Sequence, residues 1–178
     1  MPTLYILVGP SGCGKSTWAH NFMKEHEDED IRYVSRDEIR FSMLKEDEDY
    51  FAHEVEVYRQ FTGTLCATLV DGFDVIADAT HLTKTSRKRL TQAIDMYYKD
   101  YEIKYIVFYT PMSVCWMRDS GREGRAHVGE KVIQGMFRTF KAPTLDEDPR
   151  ANEIIEVGDG KDDFSFLMAP YWKENWNE

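Results

Sequence analysis

The stretch TLYILVGPSGCGKSTW, residues 3–18, leaves a chain few folds to choose from. Its first six residues are an almost unbroken apolar run, the pattern of a short strand buried on both faces of a parallel sheet. The next eight, Gly9-Pro10-Ser11-Gly12-Cys13-Gly14-Lys15-Ser16, match G-x-x-x-x-G-K-[ST] without departure. The segment KSTWAHNFMKEH that follows reads as a helix with Trp18, Phe22 and Met23 on its inner side. Strand, glycine-rich turn and helix in that order make a phosphate cradle. The glycines let the backbone curl so that successive N–H groups point at phosphate oxygens, and the positive end of the helix stands behind them. Gly9 to Thr17 are therefore the expected contacts to a nucleoside triphosphate. Lys15 is expected to reach its β- and γ-phosphates, and the Ser16 hydroxyl to ligate Mg²⁺. Cys13 occupies an unconstrained position of the pattern and reads as inert filler there.

The remaining chain repeats the same alternation. Strands are predicted over 31–34, 74–78, 103–109 and 152–157, and helices from Ser35, over 51–70, over 83–100, from 111 and over 131–140. Ser35 with Glu38 three residues on has the form of a capping box. In the helix predicted over 51–70, Val55, Tyr58, Leu65 and Leu69 recur near helical spacing, and Gly72 is its stop. The aromatic end, residues 164–178, is expected to pack across the sheet edge. Strands alternating with helices imply a doubly wound, mostly parallel α/β sheet of about five strands, helices on both faces. Residues 1–178 are read as one domain. Such sheets bind ligands beyond the carboxyl ends of their strands, where Gly9–Ser16, Asp37 and Asp78 all fall.

Composition narrows the class. No apolar run approaches the roughly 20 residues of a membrane span, and the N-terminus carries no basic region or cleavage site. The three cysteines, Cys13, Cys66 and Cys115, are scattered and odd in number, which suits a reducing, cytoplasmic setting rather than a disulfide or zinc framework. The net charge of −10 is unevenly spread. Between residues 84 and 141, 12 Lys/Arg stand against 6 Asp/Glu, a balance of +6 that leaves −16 on the rest. Either these are solvated faces, or a basic half meets an anionic ligand.

Asp37 and Arg40 lie three apart in the first turn of a helix and share a face. Alone, they could complement the helix dipole and decorate a surface. Beside a phosphate loop they also fit the second substrate of a phosphoryl transfer, a carboxylate to accept the hydroxyl proton and a cation for the acceptor's own phosphate. Asp78 ends the third strand, as an acid that orients Mg²⁺ or anchors an arginine, or as a turn cap. Thr80 and His81 follow, His81 as a polar lining group. Arg118, Arg122 and Arg125 have i, i+4, i+7 spacing interrupted by Gly121 and Gly124. They read as a lid over about 112–129 that brings arginines to the transferring group, or else as a solvated face. The basic run KTSRKR, 84–89, is either a mouth for a nucleic-acid strand or surface helix charge.

Taken together, GPSGCGKSTWA, SRDEIRFSML, VIADATHLTKTSRKRL, RDSGR and VIQGMFRTF resemble, in family order, the kinase domain of phage-type polynucleotide 5′-hydroxyl kinases. The resemblance covers residues 3 to about 141. It implies an ATP- and Mg²⁺-dependent kinase acting on a hydroxyl of a nucleic acid, the 5′-OH end of DNA or RNA. It further implies Asp37 as general base, Arg40 on the phosphate next to the attacked hydroxyl, Asp78 supporting that acceptor site, and Arg122 on the ATP phosphates. The family often carries Asn where this chain has His81. Relatives that repair ends join the kinase to a phosphatase, and this chain is expected to supply the kinase half alone. Broader relatives phosphorylate other hydroxyls, so a hydroxymethylated base in DNA or a small nucleotide or metabolite is an alternative acceptor. A non-catalytic nucleotide-dependent switch is the alternative of a different class, and it would not need Asp37.

Overall fold

A computed structural model describes residues 1–161 and residue 164. Five strands, β1 (Thr3–Val8), β2 (Ile31–Ser35), β3 (Asp74–Asp78), β4 (Glu102–Phe108) and β5 (Ala151–Val157), form one sheet in the order β2-β3-β1-β4-β5. Every pairing is parallel. The helices are α1 (Lys15–Glu25), α2 (Arg36–Met43), α3 (Glu54–Val70), α4 (Lys84–Asp95), α5 (Met112–Ser120) and α6 (Glu130–Thr139), and they cover both faces of the sheet. The chain runs outward from β1 through α1 to β2, returns to β3, and then crosses β1 to reach β4. Its topological switch therefore lies at the carboxyl end of β1, where the phosphate loop leaves the sheet.

The central strand β1 is buried at every position because helices cover the sheet from both sides, which is why it shows no alternation of apolar and polar residues. Trp18 stacks on Phe22 at 4.8 Å and meets Phe108 edge-on at 6.0 Å, so the expected inner face of α1 is the one that docks. Ser35 caps α2 by accepting the Glu38 amide at 3.3 Å.

Several boundaries move. Residues 51–53 are turns, and α3 begins only at Glu54. Val55 falls on its outer side and is 76% exposed, while Leu65 and Leu69 are buried as their spacing implied. Helix α4 ends at Asp95, short of the predicted residue 100. The basic run 84–89 is not a uniform surface stripe. Arg87 is buried and grips Glu147 with two parallel bonds, Nε to Oε2 at 2.8 Å and Nη2 to Oε1 at 2.7 Å. Its Nη1 donates to the His81 carbonyl at 2.9 Å. This residue ties α4 to the loop before β5 and offers nothing to a strand of nucleic acid. The expected packing of residues 164–178 lies, Phe164 apart, outside the described residues; the Phe164 ring sits 4.8 Å from both Phe137 and Phe140. Among the described residues no helix is long and apolar enough to cross a membrane.

Candidate active site

The turn after β1 is shaped by two glycines with positive φ. Gly12 has φ +78, and a Cβ there would stand 2.5 Å from the Cys115 carbonyl oxygen at the back of the loop. Gly14, at φ +98, is the N-cap of α1 and turns the chain so that the helix amides face the loop's hollow. The Gly9 amide donates to the Thr80 carbonyl at 3.0 Å, and Thr110 Oγ1 to the Cys13 carbonyl at 2.9 Å, so the loop is tied to the ends of β3 and β4. Cys13 is packed beneath it, and burial pushes its thiol pKa up. The side chain is a neutral filler, as its position in the motif implied. Lys15 Nζ arches over the loop and donates to the carbonyls of Gly9 at 3.0 Å and Pro10 at 2.8 Å.

Asp78 meets this loop directly. Its Oδ2 accepts from Ser16 Oγ at 2.6 Å and from the Tyr33 hydroxyl at 2.6 Å. Burial, reinforced by the bond to Asp78, raises the Tyr33 pKa, so the phenol stays a donor. Among the described residues no group of three or more His, Cys, Asp or Glu stands where it could hold a metal. Ser16 and Asp78 are nevertheless hard oxygen donors side by side at a phosphate loop. They fit Mg²⁺, an ion that takes one or two protein oxygens and completes its shell with phosphates and water.

Pairing of Ser35 with Asp78 across β2 and β3 brings the first turn of α2 beside the loop. Asp37 Oδ1 accepts from Arg40 Nη1 at 2.5 Å and from the Tyr50 hydroxyl at 2.8 Å. Arg40 is buried, and its Nη2 donates to Glu54 Oε2 at 2.8 Å; Arg36 pairs with the other oxygen of Glu54. Burial would lift the Glu54 pKa, but the bond from Arg40 and the charge of Arg36 outweigh it and hold the carboxyl below its ordinary range. Burial and the neighbouring Asp37 charge push the Tyr50 hydroxyl up to about 12. The result is a rigid guanidinium–carboxylate lattice in which both donors meet Oδ1 of Asp37. The Asp37 side chain is 62% exposed, and neither bond engages its second oxygen.

The three arginines after β4 do not share a helical face. Helix α5 stops at Ser120, and only a three-residue 3-10 turn, Gly124–Ala126, follows before α6. Arg118 Nη1 donates to the Gly12 carbonyl at 3.3 Å and Arg122 Nη1 to Ser11 Oγ at 3.0 Å, so these two rest on the phosphate loop. Arg125 reaches across to the carbonyls of Lys45 and Glu46 in the loop between α2 and α3. His81 also departs from expectation. It is buried beneath the loop, holds φ +43, and its Nδ1 lies 2.9 Å from the Leu7 carbonyl, so it lines no cleft.

One cleft of about 600 Å³ joins these parts, lined by Ser11, Gly12, Gly14, Lys15 and Ser16 of the phosphate loop and by Asp37, Arg40, Tyr50 and Phe51 of the acceptor side, with Cys13 set back from it. Asp78, Arg122 and Arg125 open onto it as well. Sequence reasoning had not reached Tyr33, Arg36, Tyr50, Glu54 or Met136, whose Sδ accepts the Ser11 amide at 3.3 Å. Glu54 is 14 residues from Arg40 and Met136 is 125 from Ser11. No local spacing rule reaches so far.

Solved structures share this architecture. An RNA repair complex of Pnkp1, Rnl and Hen1 contains a chain 24% identical, with a TM-score of 0.66 over 78% of this chain and 43% of that one. A fungal RNA kinase is 11% identical, with a TM-score of 0.63 over 98% of this chain and 44% of that one. A sugar kinase from Janibacter sp. HTCC2649 is 16% identical, with a TM-score of 0.60 over 98% and 95%. The chain thus spans less than half of the two RNA-related chains and nearly all of the sugar kinase. No curated protein matches the sequence. The fold is that of P-loop kinases, a nucleotide-binding architecture, and the model of one sequence family, described as AAA domain, matches residues 4–143. That match takes in the whole phosphate loop, both walls of the cleft and the arginine segment, and the chain belongs to the AAA domain family.

Proposed function

We propose that this protein is an ATP-dependent kinase that transfers the γ-phosphate to the 5′-hydroxyl end of DNA or RNA. The observation that carries the reading is the Asp37–Arg40 pair on the same cleft as a complete phosphate loop. The loop amides and Lys15 hold the triphosphate, and Arg122 with Arg118, both bonded to the phosphate loop, neutralises its terminal oxygens. Oδ2 of Asp37 takes the proton of the attacking hydroxyl, and Arg40 exchanges part of its bond to Asp37 for the acceptor's own phosphate. Arg36 and Glu54 keep Arg40 in position while it does so. Ser16, supported by Asp78, would hold Mg²⁺, which when bound would supply charge neutralisation for the phosphates. The sequence is read as one kinase domain, and residues 112–129 as its lid, which brings Arg122 and Arg125 over the cleft.

An acceptor screen tests this. The protein is incubated with γ-labelled ATP and 5′-OH DNA, 5′-OH RNA, hydroxymethylated DNA or small hydroxyl compounds. Label is expected on a 5′-OH oligonucleotide. Transfer only to hydroxymethylated bases or to a small molecule would move the acceptor assignment, and ATP binding without transfer to any acceptor would leave the switch.

A further inference from the structure

The acceptor wall of the cleft carries a large apolar side chain that is left mostly uncovered. Phe51 is 63% exposed, yet it lines the cleft rather than the outer surface. Single exposed apolar side chains are common on protein surfaces, but this ring lies on the cleft beside Tyr50 and Arg40, where a flat ligand group can cover it. Its setting is also rigid. The Phe51 amide donates to Asp49 Oδ1 at 2.9 Å, and the Ala52 amide to the Asp49 carbonyl at 3.0 Å. Glu48 accepts the Lys45 amide and contacts His53 Nε2, both at 2.9 Å, which closes the same loop a second time. The ring stands edge-on to Tyr50 at 4.8 Å, and Tyr50 in turn reaches Asp37. The guanidinium of Arg40 lies 5.9 Å from the Phe51 ring centre while bonded to Asp37.

The Arg40 guanidinium thus joins the Asp37 carboxylate to two aromatic rings, Tyr50 at 4.4 Å and the mostly exposed Phe51 at 5.9 Å. A hydroxyl, a phosphate and a base at the end of a nucleic-acid strand present the complementary set. We infer that Phe51 is the stacking platform for the base of the nucleotide whose 5′-hydroxyl meets Asp37. This rests on the proposal that the acceptor is a nucleic-acid end. Stacking on an aromatic ring is tolerant of base identity because every base has a π-face. The acidic run Glu46–Asp49 immediately before the ring repels phosphates, so the strand cannot continue along that loop and the platform holds a single terminal base.

The test compares two oligonucleotides that are identical except that one begins with a normal 5′-OH nucleotide and the other with an abasic 5′-OH residue. The wild type is expected to show a KM roughly tenfold lower for the base-bearing strand, the range typical of one stacked base. In F51A, and equally in F51L, which keeps an apolar side chain but no ring face, the two substrates become equivalent. F51W retains the preference. Thermal unfolding of each variant checks that the loop still folds. Transfer by the wild type with no base preference, or an unchanged preference in F51A and F51L, overturns the platform and leaves the proposed reaction standing. No transfer by the wild type to either strand overturns the nucleic-acid reading and the platform with it.

Discussion

The Leu7 carbonyl and the Arg87 guanidinium draw the loop after β3 inward, and His81 is buried with it. Burial lowers the His81 pKa to about 4, with the nearby Arg36, Lys15 and Arg87 charges adding to it. The folded protein thus holds the ring neutral while the unfolded chain binds a proton near the ordinary value of 6.5. As pH falls from 6.5 towards 4, the unfolded state gains protons and stability drops, by roughly 3 kcal/mol in all at about 1.4 kcal/mol per unit. Above 6.5 the effect is absent. Asn tolerates the left-handed φ that His81 holds and has no charge to gain. Denaturant unfolding of wild type and H81N is expected to show wild type losing ground to the variant across that window. A constant difference between the two would assign the acid sensitivity elsewhere.

Among the elements, the segment joining α5 to α6 is anchored by a buried carboxylate as well as by Arg122 and Arg125. Asp119 is fully buried, and its two oxygens accept the amides of Val128 at 3.0 Å and Gly129 at 2.9 Å. This folds residues 121–129 back against the helix and sets Arg122 on the phosphate loop. D119A leaves two backbone donors without an acceptor, at about 1–3 kcal/mol for each that stays buried. Limited proteolysis is expected to cut between residues 121 and 129 faster in D119A than in wild type, with ATP affinity reduced as Arg122 is released. Cleavage at the wild-type rate would show that other contacts hold the segment. Gly121 and Gly124 make the interruption visible in the sequence. The role of Asp119 is invisible there, because its partners lie nine and ten residues further on, beyond any helical register. The pair Arg87–Glu147 makes the same point for α4. Its 60-residue separation hides it, and a basic surface stripe is the natural reading until Arg87 is found buried. E147Q leaves that guanidinium without a counter-charge, and an equilibrium unfolding loss of about 3–5 kcal/mol is expected. A loss under about 1 kcal/mol would mean that the pair is only peripheral to the fold.

Across the whole molecule, the parts that periodicity and loop chemistry specify were the parts legible in advance: five strands, their parallel arrangement, the phosphate loop and the capped start of α2. Each depends on neighbours a few residues apart. The acceptor wall depends instead on how β2 pairs with β3 and how α3 packs on α2, which brings Glu54 and Tyr50 to Arg40. Only the folded sheet joins those segments to Lys15 and Ser16 in one cleft. The uneven charge is partly explained at this level too, since Arg122 and Arg125 from the basic half line the cleft and Arg118 bonds to Gly12 of the phosphate loop. The central claim is that this cleft takes two substrates and that Asp37 serves the second. Transfer of label from γ-labelled ATP to a 5′-OH oligonucleotide, measured for wild type and D37N with ATP binding checked in parallel, tests it most directly. Wild type should label the strand, and D37N should bind ATP but transfer about 10²- to 10⁴-fold more slowly. Transfer by D37N at the wild-type rate would contradict the assignment.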